Sequence, residues 1–232
     1  MTTTRDQQPL ASPAASGRVY SHFTLADLLG QLGDVATERV RLDPAPGAAT
    51  FEDLIRVNEQ RPGPVCELVE NTLVEKAMEF NESWLAFIIM CRFDAYLHMH
   101  DPGMCTAPNG VMKILPNVGQ APDVSFISWK SLPGGKPPAR SEKVPAIVPD
   151  LVIEELSESN TPREMARKRE EYFGAAVKVV WEINPESQAA NIYTGPNRAT
   201  AAPAGGSLEC LELLPGFVLP LQGVFDRAER RS

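Results

Sequence analysis

Apolar residues recur along this chain in two rhythms. From Asn81 to His98, Trp84, Leu85, Ile88, Ile89, Phe93 and Leu97 follow helical spacing. This predicts a long helix, apolar over a wide arc and therefore well buried. Phe23–Leu32 (FTLADLLGQL) repeats that rhythm over a shorter span. Thr50, ahead of Glu52, Asp53, Leu54 and Ile55, has the chemistry of a helix start. Elsewhere the apolar runs are short and rich in β-branched residues. VCELV and TLVE flank Glu70-Asn71 and predict a hairpin; Arg39–Leu42 is a shorter extended piece. Val111–Leu115, Asp123–Ser128 (DVSFIS), Leu151–Leu156 (LVIEEL), Val177–Ile183 (VKVVWEI) and Ala190–Thr194 predict strands. Thr161-Pro162-Arg163-Glu164 is a capping box with Pro at the first helical position, and its helix ends near Gly174. LECLELLPGFVLPL reads as a short strand and a loop. Helix, hairpin, long helix, strands, helix, strands gives an α/β or α+β fold: a mixed central β-sheet flanked by helices.

Residues 1–20 are rich in Thr, Ser, Ala, Pro and Gln and read as a disordered tail. Residues 21–60 form a helical and extended extension, 61–226 the main domain, and 227–232 a solvated tail. A chain of 232 residues with 43% hydrophobic positions can build one sizeable core. Its 22 Lys and Arg against 30 Asp and Glu leave a formal charge of −8. That argues against coating nucleic acid by bulk electrostatics, though not against an enzyme with a local basic groove. No apolar run approaches the roughly 20 residues of a membrane span, and the first residues lack a secretory pattern. Cys66, Cys91, Cys105 and Cys210 are scattered without a C-x-x-C. A reducing cytoplasm is the expected setting, with neither a disulfide framework nor a zinc site.

The strands carry the candidate chemistry. Asp123 shares a face with Ser125 and Ile127; Glu154 shares one with Val152 and Leu156, while Glu155 points the other way. A carboxylate within an apolar strand costs several kcal/mol unless compensated. A hard cation such as Mg²⁺, held by one or two carboxylates plus water and phosphate, would compensate it. On the following helix, Lys168 and Tyr172 lie at i+3 and i+7 from Met165 and could reach back over the strand end. Arg169, at i+4, is at least as central on the helical wheel. Glu82 points inward near the start of the long helix and is a further candidate ligand. Plainer readings stand beside these: Glu154 in an ion pair with Lys168 or Arg169, and Glu82 as a helix-start charge. His98-x-His100 with Asp101 lacks a third ligand and reads as an exposed helix end. Cys105, in a loop, lacks a His/Asn framework.

PDVSFISW followed by VPDLVIEELSESNTPREMARKREEYFGAAVKVVWEINP resembles the core of the Uma-two family of restriction-endonuclease-like proteins, in the PD-(D/E)XK nuclease superfamily. CELVENTLVEK and AMEFNESWLA extend the resemblance upstream; IYT and LPGFVLPL extend it downstream. The resemblance implies that Asp123 and Glu154 are the metal-binding acids. Leu156 stands where the superfamily Lys would be, and Lys168, from the helix, matches the family's replacement. Glu82 falls at a His-or-Glu position. Glu67 matches a frequent acid whose role, toward metal or fold, stays open. Asn71 replaces a usual turn Gly, Gln120 a common Arg, Arg169 a common Leu and Glu155 a common Val. The function implied is a Mg²⁺- or Mn²⁺-dependent endonuclease acting on DNA, with Asp123, Glu154, Lys168 and Glu82 at its centre. Tyr172 would buttress Lys168 or simply pack. The rival from another class is a binding module for nucleic acid or protein that keeps the fold without catalysis. The edges of a small mixed sheet also leave a homodimer open.

Overall fold

The computed structural model describes residues 23–60, 63–77 and 80–230. The tail read at residues 1–20 lies outside them, as do the last two residues of the tail read at 227–232. In chain order the helices are α1 (Leu25–Leu32), α2 (Phe51–Glu59), α3 (Phe80–His100), α4 (Pro162–Gly174) and α5 (Leu221–Ala228). The strands are β1 (Cys66–Val69), β2 (Thr72–Glu75), β3 (Gly103–Thr106), β4 (Met112–Leu115), β5 (Val118–Gln120) and β6 (Val124–Ser128). They continue with β7 (Leu151–Glu155), β8 (Val179–Asn184), β9 (Ala189–Tyr193), β10 (Ala199–Ala202), β11 (Ser207–Glu209) and β12 (Val218–Pro220).

Local chemistry explains the starts and turns. α1 and α2 each open with a complete capping box, Thr24 with Asp27 and Thr50 with Asp53. Both orphan amides at each helix start are thereby satisfied. Between β1 and β2, Glu70 (φ 47°) and Asn71 (φ 58°) are both left-handed, the backbone a two-residue hairpin needs. Asn tolerates that region, and its side-chain amide also donates to the Ala49 carbonyl at 2.9 Å.

The strands form two larger sheets. One is antiparallel and four-stranded, in the order β2-β1-β5-β4, with α2 packed on it through Leu54. The other is six-stranded and mixed, in the order β10-β9-β8-β7-β6-β3. Only β7 and β8 run parallel, and α4 makes the crossover between them. One face of this sheet packs on α3, α5 and the β11–β12 hairpin, around Phe93, Trp181, Leu219 and Phe225. The other face, through Ile127, Val152 and Val180, packs against Tyr172 of α4. No described helix is long and apolar enough to cross a membrane.

Several expectations change. The apolar arc of α3 is only partly covered: Leu85, Ile88, Ile89 and Phe93 are buried, but Phe80, Phe87 and Trp84 are 83%, 46% and 37% exposed. The sheet and α5 shield one side of that helix and nothing described shields the other. Cys105, read as lying in a loop, is in β3, a strand on the edge beside β6. Gly103 permits that pairing, because an added Cβ would lie 2.1 Å from the Ile127 carbonyl oxygen. β5 is too short to show a period. α5 buries Leu221, Val224 and Phe225 and runs on to Ala228, into the stretch read as tail. Arg39–Leu42 contributes only a bridge from Val40 to Val74. At Thr161 half of the capping box forms: its hydroxyl accepts the Glu164 amide at 2.9 Å, but the Glu164 carboxylate turns to Arg39.

Candidate active site

The antiparallel register Val124↔Ile153 and Ser125↔Val152 brings Asp123 level with Glu154 on one face of the mixed sheet. Both are buried. The Asp123 carboxylate is fixed twice: Oδ2 accepts the Glu155 amide at 2.8 Å, and Oδ1 meets Lys76 Nζ at 2.8 Å. Lys76, the residue after β2, also donates to the Ala121 carbonyl at 2.5 Å. α4 lies over this face. Its Lys168 Nζ reaches Glu154 Oε1 and Oε2 at 3.3 and 3.2 Å, and Glu67 Oε1 at 3.4 Å. One turn on, the Tyr172 hydroxyl donates to Glu154 Oε1.

Glu67 therefore has a position that its sequence left open. It faces Lys168 and accepts the Ala121 amide at 3.1 Å, tying β1 to the Pro122-Asp123 segment. Glu82 comes down from the first turn of α3 and lines the same small pocket as Lys76, Asp123, Glu154, Glu155 and Lys168. Arg169 goes elsewhere. It pairs with Glu182 at 2.5 Å and lies over the Tyr193 ring, 4.5 Å from its centre. The helical wheel could not separate Lys168 from Arg169; in the fold the first meets Glu154 of β7 and the second Glu182 of β8. His98 and His100 sit exposed at the end of α3, with the His100 ring stacked on Tyr96.

The protonation states follow from burial and partners. Burial pushes Glu154 up to about 7, with Lys168 pulling the other way. Burial opposes the Lys168 charge, but Glu154 and Glu67 outweigh it and hold that ammonium protonated well above its ordinary range. Burial and the Glu154 charge keep the Tyr172 phenol neutral, a donor only. Glu155 lies on the other face of β7, where Ile153 packs toward α3. Burial, then Asp123 and Glu82, push it up to about 10. Both of its carboxylate oxygens are buried without a hydrogen-bond partner.

Two residues here were not singled out from sequence. Lys76 had one signal, its place directly after TLVE. Arg39 had none, because its partner Glu164 is 125 residues away: its guanidinium grips that carboxylate at 2.7 and 2.9 Å and donates to the Glu75 carbonyl at 2.8 Å. α1 approaches the same end of α4. Gly33 has φ +85°, and an added Cβ would lie 2.5 Å from Glu164 Cα.

A hard cation suits this donor set. Asp123, Glu154, Glu155, Glu67 and Glu82 bring five carboxylates against two ammonium groups, Lys76 and Lys168, and every metal-ligating atom is oxygen. No three metal-ligating residues converge into a preformed cage among the described residues. A cation here would thus be held by one or two carboxylates, with water or phosphate oxygens completing its shell, as is usual for Mg²⁺. Next to this site opens a cavity of 660 Å³, bordered by Glu82, Trp84, Glu155, Ser157, Asn184 and Phe225.

The fold has a solved counterpart. A crystal structure from Anabaena variabilis ATCC 29413, described as "a putative nuclease belonging to DUF820", superposes with a TM-score of 0.64. It is 14% identical and the alignment covers 75% of this chain and 96% of that one, so the likeness is one of fold. No curated protein matches the chain significantly. Residues 48–222, which contain Glu67, Lys76, Glu82, Asp123, Glu154, Glu155, Lys168 and Tyr172, match the family described as "Putative restriction endonuclease"; the chain belongs to this family, Uma2.

Proposed function

We propose that this protein is a divalent-metal-dependent endonuclease that hydrolyses phosphodiester bonds of DNA. The observation that carries the reading is the buried ammonium of Lys168, seated between Glu154 and Glu67 on the face that also presents Asp123. Membership of the family described as "Putative restriction endonuclease" supports it. Asp123 and Glu154 would hold Mg²⁺ or Mn²⁺, with Glu82 as a further ligand. Such an ion, when bound, supplies a Lewis acid for the phosphate and a more acidic water.

The chain's own residues do the rest. Lys168, held protonated, serves as a fixed positive charge for the anionic transition state and not as a proton acceptor. Tyr172 and Lys168 together fix the rotamer of Glu154, and the Glu155 amide fixes that of Asp123. Glu67 ties Lys168 to the backbone ahead of Asp123, so acid and ammonium keep one spacing. Preorganisation of this kind lowers the reorganisation needed as charge develops.

Cleavage of supercoiled plasmid, linear duplex and single strands, with Mg²⁺, Mn²⁺ or EDTA, tests the reading. Wild type is compared with Asp123→Asn, Glu154→Gln and Lys168→Met. Metal-dependent cutting lost in all three is expected. Cutting in excess EDTA, or undiminished cutting by Asp123→Asn and Glu154→Gln, contradicts the mechanism. A second reading, a binding module without catalysis, rests on the internal pairing of Asp123 with Lys76 and of Glu154 with Lys168. It requires that wild type bind DNA or a protein, bind no Mn²⁺ and cut nothing.

A further inference from the structure

We propose that Arg39 is a positioning residue of the active site: it occupies Glu164, so that the Lys168 ammonium is left to Glu154 and Glu67. The residue comes from outside the family match at residues 48–222. The stretch that carries it is laid beside β2, where Val40 bridges to Val74 and the Arg41 amide donates to the Leu73 carbonyl. Its buried side chain borders the small pocket that Asp123, Glu154 and Lys168 also line. The proposal rests on the nuclease reading for its effect on rate, not for its geometry.

One guanidinium touches three segments, each of which carries a group of the site. Nε donates to the Glu75 carbonyl at 2.8 Å, and the next residue, Lys76, pairs with Asp123. Nη1 lies 3.4 Å from the Ser159 carbonyl, in the turn that follows Glu154 and Glu155. Nη1 and Nη2 hold both oxygens of Glu164, at 2.9 and 2.7 Å, in the first turn of α4. The third contact matters most, because Glu164 and Lys168 stand four residues apart on one helix face. Glu at i and Lys at i+4 is the favourable order for an ion pair along a helix. Burial opposes the Lys168 charge, and Glu154, Glu67 and then Glu164 support it. Without Arg39, Glu164 would be a buried carboxylate in need of a cation, with Asn160 Nδ2 at 3.5 Å as a weak donor. Arg167 is spent on Glu171 at 2.6 Å and on the Leu32 carbonyl at 3.0 Å. Lys168 is less firmly held: its bonds to Glu154 and Glu67, at 3.2, 3.3 and 3.4 Å, are longer than those of Arg39 to Glu164. A Lys168 drawn toward Glu164 would leave Glu154 without its counter-charge. Misplacement by about 1 Å in a catalytic arrangement costs roughly a hundredfold in rate.

The Lys168 ammonium reports its own surroundings through its proton–nitrogen NMR signal, recorded on the isotope-labelled full chain without metal and assigned by its loss in Lys168→Met. Wild type is compared with Arg39→Met, Arg39→Lys and the double variant Arg39→Met/Glu164→Gln. Alongside, kcat and KM are measured for metal-dependent plasmid cleavage, well below the melting temperature of each chain. In Arg39→Met the Lys168 signal should move or vanish by exchange with water, and kcat should fall at least about tenfold while KM stays within about threefold. Arg39→Lys still opposes Glu164, and the double variant removes the competing carboxylate, so both should return the signal and kcat toward wild type. A merely stabilising Arg39 lowers Tm but leaves the signal and kcat of folded Arg39→Met unchanged; that result overturns the proposal. A defect that the double variant does not relieve overturns it as well, as does a wild type with no Lys168 signal, since no ammonium is then held. If wild type cuts nothing, the nuclease reading fails and the signal alone decides: moved in Arg39→Met and restored in the double variant supports the positioning role, unmoved removes it. Should Arg39→Met not fold, Arg39→Gln takes its place with the same expectations.

Discussion

Arg39 should be one of the costliest single losses in this protein, although it lies outside the family match at residues 48–222. Its guanidinium makes two charge-assisted bonds to Glu164, at 2.7 and 2.9 Å, and a third to the Glu75 carbonyl. The side chains are only 10% and 1% exposed. Arg39→Met keeps much of the aliphatic stem and removes the charge. It strands the Glu164 carboxylate four residues before Lys168, at the start of α4. Removing one partner of a buried pair typically costs about 3–5 kcal/mol. For a domain of this size that corresponds to a fall of roughly 6–20 °C in Tm. The same docking surface provides a control: Arg163 meets Asp34 at 2.7 Å, but the side chains are 66% and 44% exposed. Arg163→Met should cost about 1 kcal/mol or less.

The pH dependence of the Arg39→Met defect has a definite sign. Burial alone would raise Glu164, but the Arg39 hydrogen bonds and the surrounding Lys168, Arg39 and Arg167 charges hold it below its ordinary range. A lowered carboxylate contributes stability above its unfolded pKa and loses it as pH falls through the folded value. The Arg39→Met defect should therefore be larger at pH 8 than near pH 4, where Glu164 can take up a proton. Thermal and urea unfolding of Arg39→Met, Glu164→Leu and the double variant measure it. The double variant should recover to within about 2 kcal/mol of wild type, since an apolar pair can replace a buried ion pair. Equal costs for Arg39→Met and Arg163→Met, or single-variant costs that simply add, would refute the reasoning.

Glu155→Gln should stabilise the metal-free protein as pH rises. A group raised to about 10 makes the folded chain lose stability above its ordinary 4.5, by at most about 3 kcal/mol at pH 7. The variants should melt together near pH 4.5 and diverge by several degrees at pH 8; parallel curves would refute this. Arg169→Ala should cost about 1–3 kcal/mol, because Glu182 stays buried, yet it should keep cleavage, unlike Lys168→Met. Loss of cutting in a folded Arg169→Ala chain would return Arg169 to the site. Gly33→Ala should destabilise by more than about 1 kcal/mol in urea unfolding, since φ +85° and the 2.5 Å approach to Glu164 both oppose a Cβ. An unchanged midpoint would show that α1 can shift away from α4.

What the sequence settled by itself was local or periodic. The Thr50 and Thr161 hydroxyls start helices where their side chains can cap, and Glu70-Asn71 turns where two left-handed residues are needed. Alternation alone put Glu154 and Glu155 on opposite faces of their strand, while the β6–β7 register was needed to level Asp123 with Glu154. Helical spacing put Lys168 and Tyr172 on the stripe that covers them, and the resemblance carried by PDVSFISW and LVIEELSESN leads to the family the chain matches.

Tertiary structure decided whatever depends on partners far apart in sequence. Lys168 rather than Arg169 meets Glu154, because α4 docks with the first over β7 and the second over Glu182 of β8, a choice the helical wheel leaves open. Glu164 abandons its local cap for Arg39, since a bidentate buried ion pair outweighs one backbone bond. β3 and β5 exist through pairing with β6 and β1, not through their own short patterns. The orphaned Glu155 emerges only when α3 and β7 close over it. A carboxylate's solvation is set by what surrounds it, and no run of neighbouring residues encodes that.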